Sequence, residues 1–230
     1  MPGGVWGPLL AADKGKQWLR WEYVTQNHDR IVGALEDHVK LTLIAIAVGL
    51  LISLPLGWLA WRHRRAATVI LGIEGALYTI PAIALFAILL PFTGFTYTTS
   101  EIALVSYTLL ILTRNIVAGL DSVPEDVREA ARGMGMKPGR QLLTVDLPIA
   151  LPAIMAGIRI ATVSTIGLVT DSALIAQRSL GQLINDGITI FDRTPIVVGG
   201  GLSVLLAVTA DVLLIGVERL LTPWARRAAR

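Results

Sequence analysis

Three histidines, His28, His38 and His63, are the whole supply of imidazole, and none are spaced as a metal-binding pair. Cysteine is absent, which excludes a thiolate nucleophile, a disulfide framework and a cysteine metal site. Serines and aspartates occur, but no nucleophile-elbow pattern surrounds a serine, and no G-x-x-x-x-G-K run offers a phosphate loop. The conspicuous residues are single ionisable groups inside apolar runs: Glu74, Arg159, Asp171 and Asp211. A second set is aromatic: Tyr78, Phe86, Phe92, Phe95, Tyr97 and Tyr107. Such residues pair charges, line a wet path or hold a cation against a ring face. They do not make or break covalent bonds, so neither a catalytic set nor a bound metal is expected, and any ATP hydrolysis belongs to another polypeptide.

The elements that must position these groups are long and greasy. Of 230 residues, 53% are hydrophobic and 16% charged, with a mean hydropathy of +0.64, whereas soluble domains are about 25% charged. Five stretches approach the ~20 residues needed to cross a bilayer: 39–61, 66–92, 101–120, 149–176 and 195–217. Without strand alternation, the expected fold is an all-α membrane protein. Residues 1–38, with Trp6, Trp18, Trp21 and Tyr23 among Lys14, Lys16, Arg20 and Arg30, are too charged to span. The stretch Gln17 to Asp37 suits an interfacial helix. Three parts are expected: this segment, a membrane domain over 39–220, and a basic tail over 221–230. The net charge of +3 is clustered between apolar runs, the pattern of membrane orientation and not of nucleic-acid binding.

The basic clusters alternate. Arg62, Arg64 and Arg65 follow the first run, and Arg128, Arg132, Lys137 and Arg140 follow the third. Arg226, Arg227 and Arg230 end the chain, while 93–100 carry neither Lys nor Arg. The positive-inside rule puts the first and third connections and the C-terminus in the cytoplasm, and by parity the N-terminus outside. Arg20 and Arg30 fit an outer N-terminus poorly.

Within the third connection, 121–148, Ser122 and Glu125 have capping-box spacing and Pro124 suits a helix start. A helix is expected from Pro124 to Met134, ended by Gly135 in a left-handed conformation, with Pro138 beyond. Val127, Ala130, Ala131 and Met134 would form its small apolar face. That face either enters a partner's groove or packs against its own bundle.

Glu129-Ala130-Ala131, then Gly135 after three residues, then Val145 and Leu147-Pro148 resembles the "EAA" loop of ABC import permeases. Tyr78-Thr79-Ile80-Pro81 with Ala84-Leu85-Phe86, Leu112-Thr113-Arg114-Asn115, Ala156-Gly157-Ile158-Arg159 and Asp211 are similar to osmoprotectant permeases. One departure stands out: a glycine-rich outer turn is replaced by Ala176-Gln177-Arg178-Ser179-Leu180-Gly181, of which only Leu180-Gly181 matches.

The resemblance implies a five-span type I ABC importer (MetI-like) bundle in the inner or plasma membrane. Its implied partners are two ABC ATPase subunits, which bind ATP and magnesium, a second permease subunit, identical or homologous, and an extracytoplasmic solute-binding protein. It also implies that Glu129, Ala130, Ala131, Gly135, Leu147 and Pro148 couple the spans to the ATPase. Tyr78, beside the helix-breaking Pro81, and Asp171 are the candidates for the translocation pathway. The implied solute is glycine betaine, choline, carnitine or proline; a methionine-like amino acid, or an ATPase-independent secondary transporter, are the alternatives.

Overall fold

The computed structural model describes residues 18–175 and 178–224, and among these every regular element is helical. The expectations placed on Trp6, Lys14, Lys16, Gln17, Ala176, Gln177 and the arginines beyond 224 lie outside the described residues. In chain order the helices are α1 (Trp21–Gln26), α2 (His28–Arg62), α3 (Arg64–Thr79), α4 (Ala82–Thr93) and α5 (Tyr97–Asp121). They continue with α6 (Glu125–Gly133), α7 (Pro138–Gln141), α8 (Leu147–Asp171), α9 (Leu180–Thr189) and α10 (Arg193–Leu221). A π-helical turn, Leu142–Asp146, precedes α8, and a 3₁₀ turn, Ser172–Ile175, follows it.

Four helical stretches are long and apolar enough to cross a membrane, and α3 with α4, bent at the break between them, are together a candidate for a fifth. The expected second span is thus not one straight helix. Ile80, ahead of Pro81, leaves the helical region (φ −68°, ψ 128°), as the residue before a proline is driven to do. The expected interfacial helix is also shorter. It stops at Gln26, and α2 already begins at His28. Ile31, Ala34, His38 and Leu41 are all buried, a three- and four-residue stripe that runs the helix straight through the charged stretch.

The chain divides into two compact units. One comprises residues 1–43, 82–103 and 166–207. Its core packs Ile31 and Ala34 of α2 on Leu180 and Leu183 of α9, with Tyr23, Val24, Val198 and Leu202 around them. Helix α9 lies in what reads from sequence as a plain connection. Three ion pairs bind this segment to the N-terminal helices: Arg20 with Asp192, Arg30 with Asp186, and Arg178 with Asp37 at 2.5 Å. Arg20 and Arg30 are thereby matched by acids far from them in the sequence.

The other unit comprises residues 44–81, 104–165 and 208–230. Its core joins Ile116 and Leu120 of α5 to Ala150 and Ile154 of α8, with Trp61, Leu142, Leu147 and Ile158 packed against them. The loop helix α6 belongs to this unit.

Candidate functional site

Helix α6 forms where its sequence dictates, but it is not started by a capping box. Pro124 is the N-cap, extended at φ −60° and ψ 140°, with no side-chain cap bond. Ser122 instead donates its hydroxyl to the Gly119 carbonyl at 2.7 Å. Glu125 turns sideways to Arg132 and, at 3.7 Å, Arg128. The hydrogen bond from Arg132 holds the exposed Glu125 carboxyl below the ordinary glutamate range. Glu125 and Asp126 in the first turn and Arg132 in the last complement the helix dipole.

The exit is as expected. Gly135 adopts φ +74°, and the amide of Met136 reaches back to the Ala131 carbonyl at 3.2 Å, the closure of a helix ended by a left-handed residue. Any side chain at 135 would be strained.

The apolar face expected for a partner is split. Ala131 is 1% exposed and packs into its own chain, with Val127 half-buried beside it. Glu129 and Ala130 are exposed, and Met134 is 70% exposed. Seating in the bundle and presentation outward therefore divide between adjacent residues, because Ala130 and Ala131 lie about 100° apart around the helix. We expect Ala131→Trp to reduce the yield of assembled protein, through overpacking of about 1–3 kcal/mol. Ala130→Trp should assemble normally. Size-exclusion yield separates the two. Equal behaviour of both variants would refute the division of faces.

The residues that hold α6 were not singled out from sequence. Arg128 points inward: its Nε donates to Asp146 Oδ1 at 3.1 Å, and its Nη2 donates to the Leu120 carbonyl at the end of α5. Its guanidinium lies over the Trp61 ring, 4.9 Å from the centroid. Asp146 is 2% exposed and also accepts from Gln141 Nε2 at 3.5 Å. A cavity of about 420 Å³ borders this network, with Trp58, Arg62 and Leu142 in its wall. An acid inside the apolar approach to Leu147-Pro148 was the available signal.

Leu147 packs on the Ile116–Ile154 cluster. Pro148, lacking an amide hydrogen, cannot complete an α-type ladder at its position. The backbone shifts register just before it, where the Leu147 amide bonds Leu142 O across five residues.

Among the membrane-depth residues, Tyr78 is 42% exposed and meets Tyr107 edge to face, with centroids 5.7 Å apart. The Tyr107 hydroxyl donates to the Ile80 carbonyl, immediately before Pro81 at the helix break. Asp171, half-buried, ends α8 in the other unit. Glu74 and Arg159 do not pair with each other. Glu74 accepts from the Thr113 hydroxyl at 2.9 Å. Arg159 grips Asp211 through two bonds, at 2.8 and 3.2 Å, and approaches Glu218 at 3.5 Å. Asp211 is a half-buried partner, fixed by geometry that periodicity alone does not reveal. Among the described residues, no three His, Asp or Glu side chains converge as a metal site would require.

Comparison with known proteins adds to this geometry. The family described as "Binding-protein-dependent transport system inner membrane component" matches residues 43–226. The choline transport system permease protein OpuBB of Bacillus subtilis is 33% identical over 88% of this chain and 93% of that protein. The osmoprotectant import permease protein OsmW of Salmonella typhimurium is 36% identical, over 87% and 96% respectively. A chain of the MetNI methionine ABC transporter, solved in an inward-facing conformation, superposes with a TM-score of 0.76 at 21% identity. It covers 86% of this chain and 98% of that one, a likeness of fold.

Proposed function

The chain belongs to the family of binding-protein-dependent transport system inner-membrane components, and from that premise we propose that it forms the translocation path of an ATP-driven importer for a small osmoprotectant of the glycine betaine, choline, carnitine or proline type. The observation that carries this reading is a short outward-facing helix, anchored through Arg128 and Asp146, in a chain 33–36% identical to a choline permease and an osmoprotectant permease.

In this reading two ATPase subunits bind ATP and magnesium, and each receives one α6 through Glu129, Ala130 and Met134. A push on α6 passes through Arg128 into Asp146 and the start of α8, and through the Leu120 carbonyl into α5. Gly135 sets the turn, and Ala131 and Leu147 seat the loop on the core. A second permease subunit completes the path. A solute-binding protein delivers to the face opposite α6, which is extracytoplasmic, with the N-terminus on that side. Tyr78, Pro81 and Asp171 are assigned to the path.

The test uses the complex co-expressed with its ATPase and reconstituted in vesicles. Binding protein loaded with choline or glycine betaine should stimulate ATP hydrolysis and drive uptake. A thiol introduced as Arg140→Cys should react with an impermeant reagent only on the ATPase side, and the label should block stimulation. Reaction from the binding-protein side would overturn the orientation, and absence of uptake would overturn the substrate class.

A further inference from the structure

Helix α9 closes on a residue ill suited to close it. The Asp192 amide bonds the Gly187 carbonyl at 2.9 Å, and the Phe191 amide bonds that of Ile188 at 3.3 Å. These are the two bonds of a helix end whose next residue turns left-handed. That residue is Phe191, at φ +54°, and among the described residues it is the one non-glycine at positive φ. Glycine takes this conformation freely, whereas a bulky side chain is strained in it. Packing inside the chain does not offset the strain, because Phe191 is 89% exposed.

Phe191 has exposed apolar company. Ile188 and Ile190 share its segment, and Trp18, Leu19 and Trp21 stand on the N-terminal segment beside it. The Arg20–Asp192 ion pair joins the two segments, and the Arg193 guanidinium lies over the Trp18 ring, 4.8 Å from the centroid. All of these residues belong to one compact unit. The four charges within 18–22 and 188–193, on Arg20, Glu22, Asp192 and Arg193, cancel. A neutral cluster of exposed large apolar side chains marks a surface that another molecule covers.

Depth decides between lipid and protein as that molecule. Helix α10 has 29 residues, about 43 Å at 1.5 Å per residue, and a tilt of about 20° removes only about 3 Å. That length matches the whole bilayer with its headgroups, about 40–45 Å, and exceeds the hydrocarbon core of about 30 Å. With the Glu218–Arg219 end of α10 at the cytoplasmic surface, Arg193 reaches the outer headgroup boundary. Phe191, two residues earlier, lies on the water side. Lipid tails do not reach it there; a protein arriving from water does.

We infer that Phe191 and the apolar side chains around it dock the solute-binding protein, a reading that rests on the proposed function. The left-handed turn aims Phe191 outward, and the Arg20–Asp192 pair holds the N-terminal tryptophans in place beside it. Because the charges of the patch cancel, the complementary face of the binding protein is apolar.

The test uses the reconstituted permease–ATPase complex and choline-loaded binding protein, and reads the concentration of binding protein that half-saturates the stimulation of ATP hydrolysis. Phe191→Gly should raise that concentration about tenfold, although it relieves the strained turn and should not lower the melting temperature in detergent. Phe191→Tyr should keep it within about twofold. Ile190→Ser, at a residue of ordinary backbone (φ −98°), should raise it severalfold and serves if Phe191→Gly fails to assemble. A fluorophore attached through Phe191→Cys, in a permease with no native cysteine, should be open to aqueous iodide and become shielded when binding protein is added. Quenching by nitroxide-bearing lipids would assign the patch to the bilayer, and shielding before binding protein is added would assign it to a second subunit; either overturns the docking surface. Stimulation of both Phe191→Gly and Ile190→Ser at the unaltered half-saturating concentration also overturns it, and leaves the proposed function standing. Failure of binding protein to stimulate the unaltered complex would instead remove the importer reading, and this surface with it.

Discussion

Arg128→Met is expected to detach the loop helix from its bundle and to abolish ATP-coupled uptake while the spans still insert. Arg128 gives its guanidinium to Asp146, the Leu120 carbonyl and the Trp61 ring together. Removing it strands a carboxylate that is 2% exposed, and breaking a buried pair from one side costs about 3–5 kcal/mol. That loss exceeds anything expected at the exposed positions of α6, and it falls on a helix of only nine residues that cannot persist alone. Amide exchange in residues 125–133 should accelerate more than a hundredfold, with exchange in α5 changed far less. The double variant Arg128→Met, Asp146→Leu should recover much of the protection, because an apolar pair leaves no charge stranded. Normal exchange and normal coupling in Arg128→Met would show that the network does not hold the helix.

Local signals in the sequence were reliable where the backbone decides. Gly135 needed a left-handed conformation, and it has one. Pro81 ended a helix because the residue before a proline avoids the helical region. Failures came where a residue had several partners to choose from. Ser122 and Glu125 had capping-box spacing, yet arginines within reach drew Glu125 aside and the Gly119 carbonyl took Ser122. Charge density between 17 and 37 argued for an interfacial helix separate from the first span, but α2 runs on from His28 and those charges point off its buried stripe. Arg30 and Asp37 find partners at 186 and 178, more than 140 positions away. Such distant pairings leave no periodic trace. Helix α9 is the opposite case: its buried Leu180, Leu183 and Gly187 do repeat at helical spacing, but the two-residue match of Leu180-Gly181 to a turn drew the reading away from a helix.

That surviving Leu180-Gly181 pair leads to the other large expected effect. Leu180 is fully buried against Ile31 and Ala34. The adjoining Gly181 lies so close to the end of α8 that a methyl group there would sit 2.0 Å from the Thr170 carbonyl oxygen and 2.6 Å from two further backbone atoms of Thr170. No rotamer change relieves a clash with backbone, so α9 would have to move away and pull Leu180 from its pocket. Ser179, which reaches the Val169 carbonyl at 3.2 Å, would lose its bond in the same motion. Gly181→Ala is therefore expected to destabilise the protein by at least the upper part of the about 1–3 kcal/mol range for overpacking, visible as a lowered melting temperature in detergent. Gly167→Ala on α8 is the matched control, since a methyl group there meets nothing within 4 Å. It should be neutral or stabilise by up to about 1 kcal/mol through reduced unfolded-state freedom. If Gly181→Ala melts no earlier than Gly167→Ala, the close approach of α9 to Thr170 is not what this glycine secures.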